Sequence, residues 1–199
     1  DYASACVRLL RSGKAQPGEA LDVMQRVAAE AERAGEIVRK MRGFVRGEES
    51  QMAMVEPTFL ASEVMRLAAA EARQSGVELK SWVAPGLPAV FADSIQIQQV
   101  LLNLVRNAVE AVDGADSLRR EVSLDVRRAA DGGVQFTVRD TGPGLAPESL
   151  DKVFEPFYRI ENSRSRETGG TGLGLTIARG IAEAHGGSLV LRNRAEGGL

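Results

Sequence analysis

Cys6 is the only cysteine in 199 residues. A lone thiol rules out a disulfide scaffold, and on a segment with helical periodicity it reads as inert packing in a reducing compartment, the cytoplasm. Net charge is nearly absent too, since 25 basic and 27 acidic side chains leave −2. Without a sequence-wide basic field, nucleic acid is not an expected partner. No apolar run approaches the roughly 18 residues a membrane helix requires, and no signal peptide opens the chain. This segment is therefore expected to be soluble, with no membrane contact of its own, whatever precedes it in a longer protein. At 44% hydrophobic residues, it has the material for a real core, in one domain or a small module plus one.

Over residues 18–45, Leu21, Met24, Ala28, Ala31, Val38, Met41 and Val45 recur at three-four spacing, which predicts a long amphipathic helix. Residues 2–10 carry apolar positions of their own, and Pro17 and Gly18 interrupt the pattern between the two. Residues 1–47 are thus expected to form a helical hairpin. Alone it would leave both apolar stripes in water, so a homodimer that builds four helices is the expected way to bury them. The alternative is that the long helix packs on its own globular domain.

Residues 47–54 are polar and break the helical period, which puts a boundary there and a second domain at 48–199. Pro57 can start a helix running to about Gln74, and Gly76 ends it before an alternating strand at 77–83. A short strand at 89–91 leads to a helix from Ile95 to about Val112 under an Asp93 or Ser94 cap. Strands at 122–128 and 134–139 flank the turn Asp131-Gly132-Gly133, and a helix at 173–184 precedes a strand at 188–191. Helices cluster rather than alternating one for one with strands. The expected fold is α+β, with a mixed sheet covered by helices on one face.

Three stretches of this domain carry chemistry. Asn103 and Asn107, four apart, share a helix face, and their amide oxygens suit magnesium, which takes one or two protein ligands together with phosphate oxygens. The run Asp140-Thr141-Gly142-Pro143-Gly144 follows a strand, and Gly142 and Gly144 let a ligand approach the backbone. An ionised aspartate only accepts hydrogen bonds, so Asp140 favours the amino group of adenine over the carbonyl that guanine presents there. Gly170, Thr171, Gly172, Leu173 and Gly174 run straight into a helix, whose unpaired amides can bind phosphate oxygens. There is no P-loop lysine, and the glycines do not follow the dinucleotide spacing. Between these runs, residues 146–168 can act as a lid anchored by Phe154, Pro156, Phe157 and Tyr158. Arg159, just after the anchor, is the basic group best placed for a terminal phosphate. Arg164 and Arg166 read as solvated charges.

These segments carry a resemblance. Residues 101–108, Leu-Leu-Asn-Leu-Val-Arg-Asn-Ala, look like the N box of sensor histidine kinases of two-component signalling. Residues 140–144 resemble their G1 box, Phe154-Glu155-Pro156-Phe157 their F box, and residues 170–174 their G2 box. The resemblance spans nearly the whole chain, and residues 1–47 resemble the dimerisation and phosphotransfer module, with residues 2–10 similar to the FixL type. It implies a Bergerat-type sandwich that binds ATP and Mg2+, a histidine phosphorylated on the dimeric bundle, and transfer to an aspartate of a response regulator receiver domain. Asn103 and Arg159 would be its catalytic residues.

Some residues depart from the family pattern. The family's acceptor histidine and its acidic neighbour are not on the first helix, which begins at Asp1, so the resemblance places the acceptor upstream and makes this piece alone inactive in autophosphorylation. His185, the only histidine, resembles a structural position of the family. A final strand is expected after Leu199, and Glu110 stands where many relatives have lysine. Gyrase, the Hsp90 chaperone and MutL, hydrolases of the same superfamily, resemble one another in placing a glutamate at the position of Asn103. An amide cannot act as a general base, so Asn103 points to transfer over hydrolysis. The alternatives are an ATP hydrolase, a nucleotide-sensing module without kinase activity, and a serine kinase.

Overall fold

The structure, a computed structural model, describes residues 51–113, 119–160 and 171–199, together with Leu21, Met24, Gln25, Val27, Ala28 and Ala31. Two compact units divide the chain, Asp1–Glu48 and Glu49–Leu199. In the first, the six described residues are helical, and Leu21 and Met24 are exposed. The rest of the expected hairpin, with Cys6 and the dimer surface, lies outside the described residues.

In the second unit, strands β1 (Met52–Val55) and β3 (Val90–Asp93) pair antiparallel, from Met52 opposite Asp93 to Val55 opposite Val90. Strands β2 (Glu78–Val83), β4 (Glu121–Arg128) and β5 (Val134–Asp140) form a second sheet in the order β2-β4-β5. The β2–β4 pair is parallel and the β4–β5 pair antiparallel, so the sheet is mixed. Val122, Leu124 and Val126 alternate inward from β4 and are almost fully buried under the helices. Exposed Lys80 and Trp82 mark the opposite face, where Arg127 lies 5.0 Å over the Trp82 ring.

Helix α1 (Pro57–Gln74) starts on a proline, whose missing N–H costs nothing in a first turn, and Gly76 at φ +63° turns the chain after it. Its buried Leu60, Ala61, Val64, Ala68 and Ala72 form the stripe that faces the sheet. Helix α2 (Ser94–Asp113) starts under Asp93, whose Oδ1 accepts the N–H groups of Ile95 at 3.0 Å and Gln96 at 3.1 Å. Such a cap contributes about 1 kcal/mol. The other carboxylate oxygen accepts from Gln51 N at 3.0 Å, so one buried side chain fastens both α2 and the approach to β1. Helix α3 (Gly174–Ala184) packs on α2 through Val100, Ala178 and Ile181. Helix α2 thus lies between α1, the sheet and α3.

Two expectations are corrected here. Met52–Val55 is a strand, although residues 47–54 read as a polar break; the four residues show no clear alternation, and their ladder partner lies some 40 positions further along the chain. Residues 188–191 alternate yet form no strand, because no backbone among the described residues pairs with them. No helix of the described residues is long and apolar enough to cross a membrane.

Candidate functional site

Helix α2 brings the sequence motifs together. Asn103, Asn107 and Ala111 recur every four residues along it, on one face. At the Asn103 end stands the first residue of α3: a β-carbon on Gly174 would collide with Asn103 Oδ1 and come within 3.0 Å of its Cγ and Nδ2. At the Ala111 end runs the loop after β5, where a β-carbon on the buried Gly142 would lie 3.2 Å from the Ala111 carbonyl. Asn107, between them, is exposed. Eight residues of helix separate the two ends by about 12 Å. That separation suits an elongated ligand with a flat group at one end and a phosphate chain at the other, rather than a single small anion.

The Ala111 end is organised by Asp140, buried at the tip of β5. Its Oδ1 accepts from Gly142 N at 2.8 Å and its Oδ2 from Leu199 N at 3.3 Å. Burial pushes its carboxyl above the usual aspartate range, while the Gly142 and Leu199 N–H groups and the Arg194 charge pull it down. Thr141 braces the loop, its Oγ1 accepting from Glu121 N at 3.0 Å and donating to Arg119 O at 2.5 Å.

At the Asn103 end, Leu173 is buried and Thr171, Gly172 and Gly174 are half-buried; Gly170 lies outside the described residues. Helix α3 starts at Gly174 without a side-chain cap, which leaves first-turn N–H groups for an anion. Among the described residues, the buried Nδ2 of Asn103 has no hydrogen-bond partner. An orphaned amide beside uncapped helix N–H groups is a donor set that fits phosphate oxygens. The exposed Asn107 and the oxygen of Asn103 fit magnesium as neutral ligands to a cation that phosphate also holds. Among the described residues no cluster of three His, Cys, Asp or Glu side chains could hold a metal by itself.

Of the expected lid, residues 161–170, with Arg164 and Arg166, lie outside the described residues. Its start is stapled to α3: Phe154 is buried, its carbonyl accepts from Thr176 Oγ1 at 2.8 Å, and Arg179 lies 4.0 Å over its ring. The anchor is smaller than expected. Phe157 is 60% exposed, Pro156 is exposed and Tyr158 half-buried, so Phe154 alone enters the core. Phe157 instead holds a left-handed backbone at φ +66°, fixed by its N–H to Gly172 O at 3.0 Å. Arg159 follows two residues later, exposed and engaged in an interaction.

His185 is part of the scaffold. Its Nε2 accepts from Asp93 N at 3.1 Å and its Nδ1 donates to Ile181 O at 2.8 Å, tying the end of α3 to the start of α2. Asn193 and Arg194 went unnoticed in the sequence. Arg194 Nη1 donates to Asp140 O at 2.8 Å, and the Asn193 amide bonds both backbone groups of Leu145. Their one sequence signal is the Ala195-Glu196-Gly197-Gly198 turn beside them, which says nothing of a loop some 50 residues away.

Comparison with known proteins agrees with this geometry. Residues 92–199 match a family model described as histidine kinase-, DNA gyrase B-, and HSP90-like ATPase. The chain is similar to the sensor protein FixL of Bradyrhizobium diazoefficiens, 38% identical over 200 residues that take in all of this chain and 38% of the relative. It is also similar to the C4-dicarboxylate transport sensor protein DctS of Rhodobacter capsulatus, 38% identical over 175 residues, or 87% of this chain and 25% of the relative. The chain therefore spans well under half of either. Among solved structures, full-length ShkA in complex with AMPPNP superposes with a TM-score of 0.70 at 28% identity, covering 96% of this chain and 39% of that one.

Proposed function

The chain belongs to the histidine kinase-, DNA gyrase B-, and HSP90-like ATPase family, and from that premise we propose that it is the ATP-binding catalytic region of a sensor histidine kinase. The observation that carries this reading is the placement of both ends of an elongated site on α2, with an asparagine amide beside the phosphate end.

In this reading Asp140 accepts a hydrogen bond from the exocyclic amino group of adenine, a bond guanine cannot donate there. The backbone amides from Gly170 through Gly174 and the Asn103 amide donate to phosphate oxygens, which answers the orphaned Nδ2. A magnesium ion bound by Asn107, with Asn103 assisting, would offset the charge of the triphosphate. Arg159 steadies the γ-phosphate. Phosphoryl transfer asks a protein mainly for positioning and charge compensation, which amides, glycines and one arginine provide. An acceptor imidazole nitrogen bonds to the γ-phosphorus as the bond to the bridging oxygen breaks and ADP leaves.

His185 is engaged on both ring nitrogens within the fold. It is the only histidine of the 199 residues, so the acceptor is proposed to lie outside them, on a dimeric helical module to which residues 1–47 contribute. The phosphoryl group would then pass to an aspartate of a response regulator receiver domain. Hydrolysis is the weaker reading, because Asn103 cannot take a proton from water.

The test supplies labelled ATP and magnesium to a longer form of the protein that contains the acceptor helix. An acid-labile, base-stable phosphoprotein is expected. Acid-stable label, or free phosphate alone, would overturn the kinase reading.

A further inference from the structure

The proposed base-reading loop, Asp140 to Leu145, is held from behind by residues 193–199. Residues 193–199 form a turn closed by Arg194 N to Gly198 O at 3.0 Å and Gly197 N to Arg194 O at 3.2 Å. This turn grips the loop at both ends. At the far end, Leu145 N donates to Asn193 Oδ1 at 2.8 Å and Asn193 Nδ2 donates to Leu145 O at 2.6 Å, so one amide side chain imitates a strand partner. Gly144 makes room for it: at φ +72°, a β-carbon there would sit 2.8 Å from Asn193 Oδ1. At the near end, Arg194 Nη1 donates to Asp140 O at 2.8 Å, Asp140 N donates to Leu199 O at 3.1 Å, and Leu199 N reaches Asp140 Oδ2 at 3.3 Å. Gly198 is buried against the Asp140 carbonyl, with no room for a β-carbon.

The gripped segment contains Gly142 and Gly144, the residues with most conformational freedom to lose. Without the grip, this segment would have more freedom to shift the Asp140 carboxylate relative to a bound base. A base is discriminated by a bond that forms for one ring and fails for another, and that contrast survives only when the acceptor is held at fixed distance and angle. We propose that Asn193 and Arg194 are specificity-determining positioning residues, which clamp the Asp140 loop so that its carboxylate accepts from adenine and rejects guanine. The proposal rests on the reading of Asp140 as the adenine reader. Arg194 has a second, electrostatic part: with the Gly142 and Leu199 N–H groups, its charge opposes the upward push of burial on the Asp140 carboxyl and so favours the ionised acceptor.

The experiment measures ATP and GTP affinity calorimetrically for the whole chain and its variants, across pH. Asn193→Ala is expected to weaken ATP about tenfold and GTP far less, collapsing the preference of the unaltered chain. Arg194→Met is expected to move the acid limb of ATP affinity to higher pH, and Arg194→Lys to move it back. A residue that merely stabilises the fold would weaken both nucleotides alike and leave the pH limb in place; that result, or an unchanged ATP-to-GTP ratio, overturns the proposal. Should Asn193→Ala fail to fold, the Arg194 pair decides alone. Failure of the underlying reading looks different, because the unaltered chain itself would then show no preference for ATP.

Discussion

Asn103 and Gly174 share one volume: the asparagine amide fills the space where any other residue at 174 would place its β-carbon. The contact joins the helix that carries the proposed metal ligands to the helix whose amides are proposed to bind phosphate. Gly174→Ala must rotate the Asn103 amide or lift the first turn of α3, and overpacking of this kind costs about 1–3 kcal/mol. ATP affinity is expected to fall about tenfold or more. Calorimetry alongside thermal melts checks this; an alanine variant that binds ATP normally would separate Gly174 from the phosphate site.

Asp140 links pH to both stability and binding. Burial raises its folded-state pKa above the unfolded value, so the folded chain holds the proton more tightly. Its contribution is therefore full below the unfolded pKa and is lost as pH rises through the raised folded pKa. At neutral pH, Asp140→Asn is expected to melt at or above the temperature of the unaltered chain while binding ATP more weakly. The acid limb of ATP affinity in the unaltered chain should lie above the ordinary aspartate range. Melts and titrations from about pH 4 to pH 8 read both. A variant that melts lower and binds ATP undiminished would contradict this account.

Asn107 is the exposed member of the amide pair and the proposed main magnesium ligand. ATP affinity of the unaltered chain is expected to rise when magnesium is added. In Asn107→Ala, affinities with and without the ion should converge, with the melting temperature little changed because the residue lies at the surface. Persistence of the full magnesium effect would remove Asn107 from the site.

His185→Ala removes the ring acceptor of the Asp93 N–H and one of the donors to the Ile181 carbonyl, which keeps its bond from the backbone N–H of residue 185 at 3.2 Å. Unfolding in urea is expected to show a loss of about 1–3 kcal/mol. In the phosphorylation assay above, label bound to the acceptor should remain acid-labile and off position 185. Label that disappears with His185 from an otherwise folded variant would make it an acceptor.

Legibility of the sequence followed the range of the interactions. Helices α1, α2 and α3 announce themselves because the face that packs is written every three or four residues, with Pro57, Asp93 and Gly76 as local stops and starts. Met52–Val55 carries no such record; the ladder that makes it a strand is supplied by Val90–Asp93. At 188–191 the opposite holds, since alternation is present and a strand partner among the described residues is not. Site residues within one motif could be read locally, whereas Asn193 and Arg194 act on a loop some 50 positions away through two amide bonds and a carbonyl. Phe157 differs for a further reason: hydrophobicity suggests burial, but its backbone bond to Gly172 fixes it with the residue 60% exposed.

Helix α2 serves as a ruler with the proposed base loop at one end and the proposed phosphate loop at the other. Rulers tolerate repainting but not splicing. One residue inserted between Asn103 and Ala111 would lengthen the separation by only about 1.5 Å but turn one end relative to the other by about 100°. The two loops would then face different sides of the helix. An insertion or deletion between Asn103 and Ala111 would therefore misalign the two loops even with Asn103 and Asn107 both kept.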